Sequence, residues 1–450
     1  MKRAGRTSIR RKLAAALVAT MLTTLSLGAA ELTLTAELVS PMLKAGEKQT
    51  TWLKVGLKGF EWAAANKTPA PLNLALVLDR SGSMEGAKLE RAKEAAKLAL
   101  RQLSERDILS VVTFESEVQV LLPATRVTDK KALGRLIDGI GPGGSTALFG
   151  GVSKGAAEVR KFLSPGSVNR IILLSDGIAN VGPDSPSALG DLGASLRREG
   201  MSVSTIGLGL DYNEDLMTRL AQTSDGNHAF VQEPQDLARI FDLEFQDALA
   251  VVARDLKVTL DFQGGAVPLR ILNRPGQVSG TRVNLDLSQL AAGQEKYFLL
   301  EVEVPALASG KTLDVVAVKT TYGNLTTGKA ATLTTKAAVS GSADVAAIKK
   351  SVRQEVVEAV GVQQYVEASQ KAIELRDKGD TQGAAQVLQD SEASLQSLNQ
   401  TLSAPSPAVN AAAGRAKEAA SAISNESLDY NQLRKSMKAE EFADQNQQTY

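Results

Sequence analysis

Leu72-Asn73-Leu74-Ala75-Leu76-Val77-Leu78-Asp79-Arg80-Ser81-Gly82-Ser83-Met84 is the stretch from which the rest of the chain can be read. An almost unbroken apolar run has no face for water, which suits a strand covered by helices on both sides of a parallel sheet. It stops abruptly at Asp79. The next segment carries Leu89, Ala92, Ala96, Ala99 and Leu103 at steps of three and four, one apolar stripe of a helix. Asp79, Ser81 and Ser83 therefore fall on a strand-to-helix loop at a carboxyl strand end, where open α/β sheets place their ligands.

Outward from this stretch, strand and helix patterns alternate between residues 70 and 252. Strands are expected at 72–79, 108–114, 117–122, 169–175, 202–209 and 228–231. Helices are expected at about 84–104, 129–138, 147–163, 185–199, 213–222 and 235–250. This is the pattern of a doubly wound, mostly parallel α/β sheet. Residues 253–340 show strand signals alone, with Gly- and Pro-containing turns, and predict an all-β sandwich. Residues 31–69 also alternate as strands and are expected to join that sandwich, which would make the α/β unit an insertion in it. After Ser340-Gly341-Ser342 the chain turns rich in Ala, Gln, Glu and Lys. A helical hairpin is expected over 341–403, with helices at 345–360, 362–376 and 381–399. Residues 404–450 read as a polar tail, partly disordered or helical, in which Glu440-Glu441 form a solvated face. The C-terminal helices are candidates for self-assembly.

The 450 residues hold 51 basic and 50 acidic side chains, 43% apolar residues, one histidine and no cysteine. Near-balanced charge and 4% aromatics offer neither a basic field nor a stacking surface for nucleic acid. Residues 1–30 contain Lys2, Arg3, Arg6, Arg10, Arg11 and Lys12, an apolar stretch from Leu13 to about Leu27, then Gly28-Ala29-Ala30. That is the layout of a cleavable export signal, with an uncleaved anchor as the alternative, and it predicts a periplasmic or secreted protein. No later stretch is long and apolar enough to span a membrane.

Two further loops complete a chemical pattern. Gly141-Pro142-Gly143-Gly144-Ser145 delivers Thr146 at a helix start, and Ser175-Asp176-Gly177 follows the apolar strand Ile171 to Leu174. Asp79, Ser81, Ser83, Thr146 and Asp176 are five hard oxygen donors, suited to Mg²⁺ or Mn²⁺, less so to Ca²⁺, and poorly to zinc or copper. Singly, each piece has a simpler explanation as a helix cap, a connector or a turn. In order and on the right elements, they resemble the metal-ion-dependent adhesion site of von Willebrand factor type A domains, over about residues 70–250. The resemblance implies Ser81, Ser83 and Thr146 as direct ligands and Asp79 and Asp176 as ligands acting mostly through water. It also implies a protein partner whose Asp or Glu carboxylate completes the coordination, so the expectation is a binding module and not an enzyme. The overall domain order resembles bacterial exported proteins of that superfamily.

Two alternatives belong to other classes. A metal-assisted hydrolase such as a phosphoesterase needs a base beside the ion, for which Glu115, Glu117 and Asp184 are the candidates. A subunit of an ATP-driven metal-insertion or remodelling machine is opposed by the export signal and by the lack of an ATP-binding motif. Ser309-Gly310-Lys311-Thr312 lacks the first glycine of a phosphate loop and a following helix. His228 alone cannot build a multi-histidine centre, and a structural role is expected of it.

Overall fold

The computed structural model describes residues 32–61, 69–425 and 427–448. The expected export signal lies outside them.

The chain opens with three strands, β1 (Thr33–Leu38), β2 (Met42–Lys44) and β3 (Gln49–Lys58). It then enters the α/β unit through β4 (Leu72–Asp79), all eight residues of which are buried. Helix α1 (Ala87–Gln102), β5 (Ile108–Phe114), β6 (Val118–Arg126), α2 (Lys130–Asp138), α3 (Leu148–Arg160) and β7 (Val168–Ser175) follow. The unit closes with α4 (Pro186–Arg198), β8 (Met201–Leu208), α5 (Glu214–Ser224), β9 (His228–Val231) and α6 (Leu237–Leu249). The sheet order is β6-β5-β4-β7-β8-β9, antiparallel only between β5 and β6. Strand β4 shows why its sequence is apolar throughout. Leu72, Leu74, Leu76 and Leu78 join one core with α1, α2 and α6, whereas Ala75 and Val77 join another with α3, α4 and α5.

Helix α3 lies unusually close to this sheet. A Cβ on Gly155 would stand 2.5 Å from Val77 Cγ2, and one on Gly151 would stand 2.7 Å from the Phe114 ring. Glycine costs a helix interior about 1 kcal/mol relative to alanine, so here it serves close packing. Gly155→Val is expected to destabilise the protein by about 1–3 kcal/mol through overpacking, read as a lower urea midpoint at unchanged slope. Because Thr146 precedes α3 by two residues, the shift should also disturb that loop.

Beyond α6 come β10 (Val251–Phe262), β11 (Val267–Ile271), β12 (Gln277–Ser279), β13 (Arg282–Ala291), β14 (Glu295–Val304), β15 (Thr312–Asn324) and β16 (Lys329–Ser342). They form two sheets, β1-β3-β14-β11 and β12-β13-β10-β15-β16-β2, around one apolar core. Strand β3 thus pairs with β14 and β2 with β16, while β1 extends the sheet beside β3, and the chain runs through the α/β unit between β3 and β10. Ser309 to Lys311 is the turn entering β15, with Gly310 at φ 77°. Contact between the units is partly apolar, with Val251 of β10 in the core of the α/β unit and Leu325 packed against it, and partly polar. Arg170 early in β7 bonds Ser204 Oγ at 2.8 Å and Gln289 Oε1 of β13 at 3.0 Å.

The C-terminal region departs from expectation. Helix α7 (Val345–Lys350) is short, and α8 (Gln354–Asp377) runs on through the break expected near residue 361. The glycine there is a contact point. A Cβ on Gly361 would lie 3.2 Å from Val409 and 3.3 Å from Leu395, so its absence lets α9 (Thr381–Thr401) and α10 (Pro407–Ile423) approach. Among the described residues the expected polar tail is largely helical, and α11 (Tyr430–Asn446) returns to the α/β unit against α5 and β9. Beyond α11, Gln448 bonds both backbone groups of His228, at 3.1 and 2.9 Å, and so covers part of the sheet's edge strand. Among the described residues no helix is long and apolar enough to cross a membrane.

Glu441 corrects the solvated face expected at Glu440-Glu441: it is only 4% exposed. Burial pushes its carboxyl up to about 7, against the opposing pull of Ser369, Lys438 and Arg434, with Asp215 adding to the rise. A folded-state value above the ordinary one contributes stability that is complete below pH 4.5 and lost as pH rises through about 7. Glu441→Gln should match wild type near pH 4.5 and exceed it by up to about 3 kcal/mol at pH 8. Urea unfolding at the two pH values measures this, and a constant difference between the proteins would refute it.

Candidate metal centre

Three loops at the carboxyl edge of the sheet bring the five oxygen-bearing side chains together. Each loop is held by the others. The Gly82 N–H donates to Gly144 O at 2.9 Å and the Gly143 N–H to Arg80 O at 2.6 Å, so the first loop and the glycine loop are pinned through their backbones. Asn180, beyond Asp176, accepts the Thr146 N–H at 2.8 Å through its side chain and returns its own N–H to Thr146 O at 3.2 Å. Glu115 braces the same region. It accepts the Gly144 N–H at 3.0 Å and the Ser116 N–H, and pairs with Arg80 at 3.2 Å.

Within this frame, Asp79 is fully buried at the end of β4. One of its oxygens accepts the Ser81 N–H at 2.8 Å and the other the Ser175 hydroxyl at 2.5 Å. Ser81 Oγ lies 3.2 Å from Ser83 Oγ, and Ser83 Oγ donates to Asp176 Oδ1 at 2.7 Å. Thr146 joins them at Gly177, where a Cβ would stand 2.8 Å from Thr146 Oγ1 and 3.6 Å from Ser83 Oγ. All five predicted residues therefore meet. Asp79, Ser81, Thr146 and Asp176 are buried, and Ser83 is the exposed member that opens the cluster to solvent.

The electrostatics suit a cation. Burial pushes the Asp79 carboxyl up to about 6, and Asp176 adds to the rise, while hydrogen bonds from Ser175 and Ser81 oppose it. No cation is in contact with the Asp79 carboxylate itself, whose hydrogen-bond partners are the Ser81 N–H and the Ser175 hydroxyl. Among the described residues no cluster of three or more histidine, cysteine, aspartate or glutamate side chains could hold a metal, so these two carboxylates depend on three hydroxyls to complete an all-oxygen set. Such donors fit a hard divalent ion.

One functional group escaped sequence reasoning. Lys88, the second residue of α1, places Nζ 2.5 Å from Asp176 Oδ2. Its i+5 distance from Ser83 gives no helical or strand periodicity that would mark it. His228 lies elsewhere, at the start of β9, buried against the rings of Tyr212 and Phe442 with Nδ1 2.9 Å from Thr205 Oγ1. Burial, reinforced by Lys435, lowers it to about 3.

The five side chains thus sit at the carboxyl edge of a doubly wound sheet with one antiparallel edge. Residues 73–243 match the model of the von Willebrand factor type A domain, and the chain carries a domain of that family. Domains of this family commonly mediate protein–protein interaction and often bind a divalent metal at this site. The uncharacterized protein YfbK of Escherichia coli (strain K12) is 30% identical over 217 residues, 48% of this chain and 37% of that one. The uncharacterized protein sll0103 of Synechocystis is 30% identical over 252 residues, 54% of this chain and 59% of that one. The match thus spans less than two thirds of either relative. A solved von Willebrand factor type A structure from Catenulispora acidiphila is 15% identical with a TM-score of 0.69, covering 92% of this chain and 96% of that chain. At that identity the likeness is one of fold.

Proposed function

We propose that this protein is an exported binding module that captures a partner protein's Asp or Glu carboxylate through a divalent ion, Mg²⁺ or Mn²⁺ in preference to Ca²⁺. The observation that carries this is the convergence of Asp79, Ser81, Ser83, Thr146 and Asp176 with only Ser83 open to solvent. Ser81, Ser83 and Thr146 would hold the ion by their hydroxyls, with Asp79 and Asp176 behind them. Neutral hydroxyl donors leave much of an ion's charge free to attract an external anion. The sequence of residues 1–30 supports a periplasmic or secreted location.

Hydrolysis is the weaker reading, because its candidate bases are badly placed for it. Glu115 is committed to Arg80 and two backbone N–H groups, and the Ser116 N–H first among them holds its carboxyl below the usual range. Glu117 and Asp184 are exposed on neighbouring loops. The test is a Mg²⁺ or Mn²⁺ titration of the whole chain, following its melting temperature, with chelator-sensitive capture of partners from native extract. A rise in melting temperature that Ser81→Ala/Ser83→Ala lacks supports the proposal. An equal rise in both proteins, or none in wild type at saturating ion, sinks it.

A further inference from the structure

The ammonium of Lys88 occupies an odd place. The first turn of a helix is the positive end of its dipole, where a lysine is disfavoured, yet Lys88 is the second residue of α1. Its side chain is 25% exposed, and its Nζ reaches the fully buried carboxylate of Asp176. Gly209, just past β8, borders it: a Cβ there would rest 3.6 Å from Lys88 Nζ, an ordinary contact, and it is the φ of +73° that calls for glycine. Three elements thus shape one position for this cation. Asp176 divides its two oxygens between Ser83 and Lys88. The other nearby charges, Arg80 and Glu115, neutralise each other.

We propose that Lys88 is the specificity-determining residue of the centre, an internal competitor for Asp176 that keeps affinity for a bare divalent ion low and couples ion uptake to arrival of the partner's carboxylate. This deepens the function proposed above and rests on it. The charge count gives the reason. Two carboxylates and one ammonium leave the site one negative charge, and a divalent ion turns that into one positive charge. A single external carboxylate then restores neutrality. Without Lys88 the ion alone neutralises the two carboxylates, and the external anion gains less on binding. Ion and partner would then bind nearly independently, whereas with Lys88 each strengthens the other by the same factor.

The experiment is Mn²⁺ titration calorimetry on the whole chain for wild type, Lys88→Gln and Lys88→Arg, in chloride and in acetate of equal ionic strength. Acetate serves as the carboxylate probe. In chloride, Lys88→Gln is expected to bind Mn²⁺ about tenfold tighter than wild type or more, and Lys88→Arg within about threefold of it. Acetate should tighten Mn²⁺ binding by wild type and Lys88→Arg and leave Lys88→Gln nearly unchanged. Equal or weaker binding by Lys88→Gln overturns the role of Lys88 and leaves the metal centre standing. If none of the three proteins binds Mn²⁺, the metal centre itself is overturned, and the coupling with it. Lys88→Arg guards against misfolding, because it keeps the charge and should keep the wild-type pattern.

Discussion

Asp79→Asn is expected to abolish the Mn²⁺-dependent rise in melting temperature while leaving the ion-free protein at least as stable as wild type. The side chain is fully buried, and its contacts survive the exchange. The amide oxygen can still accept the Ser81 N–H, and the amide nitrogen can donate to Ser175 Oγ, which now donates to Asp79. What disappears is the charge. In the ion-free protein that charge is a burden, since burial already pushes the carboxyl up to about 6. Its removal therefore relieves a desolvation cost and takes away half of the carboxylate attraction that draws a divalent ion. An ion present at a hundred times its dissociation constant stabilises the folded state by about 2.7 kcal/mol. For a unit of this domain's size that is a rise of roughly 5–10 °C. Calorimetric melts with and without Mn²⁺ read both halves of the expectation. A normal rise in Asp79→Asn would show that the carboxylate is not needed for the ion. A lower ion-free melting temperature would show that the Asp79 charge supports the loop.

The parts of this molecule that could be read from its sequence are those whose cause is local. Leu72 to Leu78 is legible because a strand buried on both faces needs apolar side chains at every step, and its end is marked by the sudden change at Asp79. Thr146 and Asp176 are legible for the same reason, each following a pattern that ends at the sheet's carboxyl edge. Gly361 misleads because its cause is not local: beside Ala, Gln and Glu it looks like a helix break, and only the positions of Val409 and Leu395 show that it admits two other helices. Glu441 misleads in the same way. A glutamate in a polar segment reads as solvated until α11 is seen to press it among Ser369, Arg434 and Asp215. Lys88 is the sharpest case, since nothing within its own helix distinguishes an ammonium facing Asp176 from one facing water.

Another contact of long range carries the second large effect: Lys435→Met is expected to cost about 3–5 kcal/mol, the range for removing one partner of a buried ion pair. Lys435 lies on α11 and is only 2% exposed, while Glu214, 221 residues away at the start of α5, is 5% exposed. The lysine bonds Glu214 Oε2, donates to Tyr212 O at 2.7 Å, and stands 4.5 Å from the centre of the Tyr212 ring. Arg434 bonds the other oxygen of Glu214, and reaches Asp215 at 2.8 Å and Asp377 at 3.0 Å. This cluster ties α11, α5 and α8 together. Methionine matches the lysine stem in length, so packing changes little, and Glu214 is left buried with one cation in place of two. The loss should appear as a lower urea midpoint and as faster hydrogen exchange in α11, β9 and the loop at residues 209–213. Lys435→Met/Glu214→Gln separates the charge from the shape. With both charges gone the uncompensated carboxylate is gone too, and part of the stability should return. If the double variant is as unstable as the sum of the two single ones, the ions act independently and α11 is held by its apolar contacts, chiefly Met437 and Phe442.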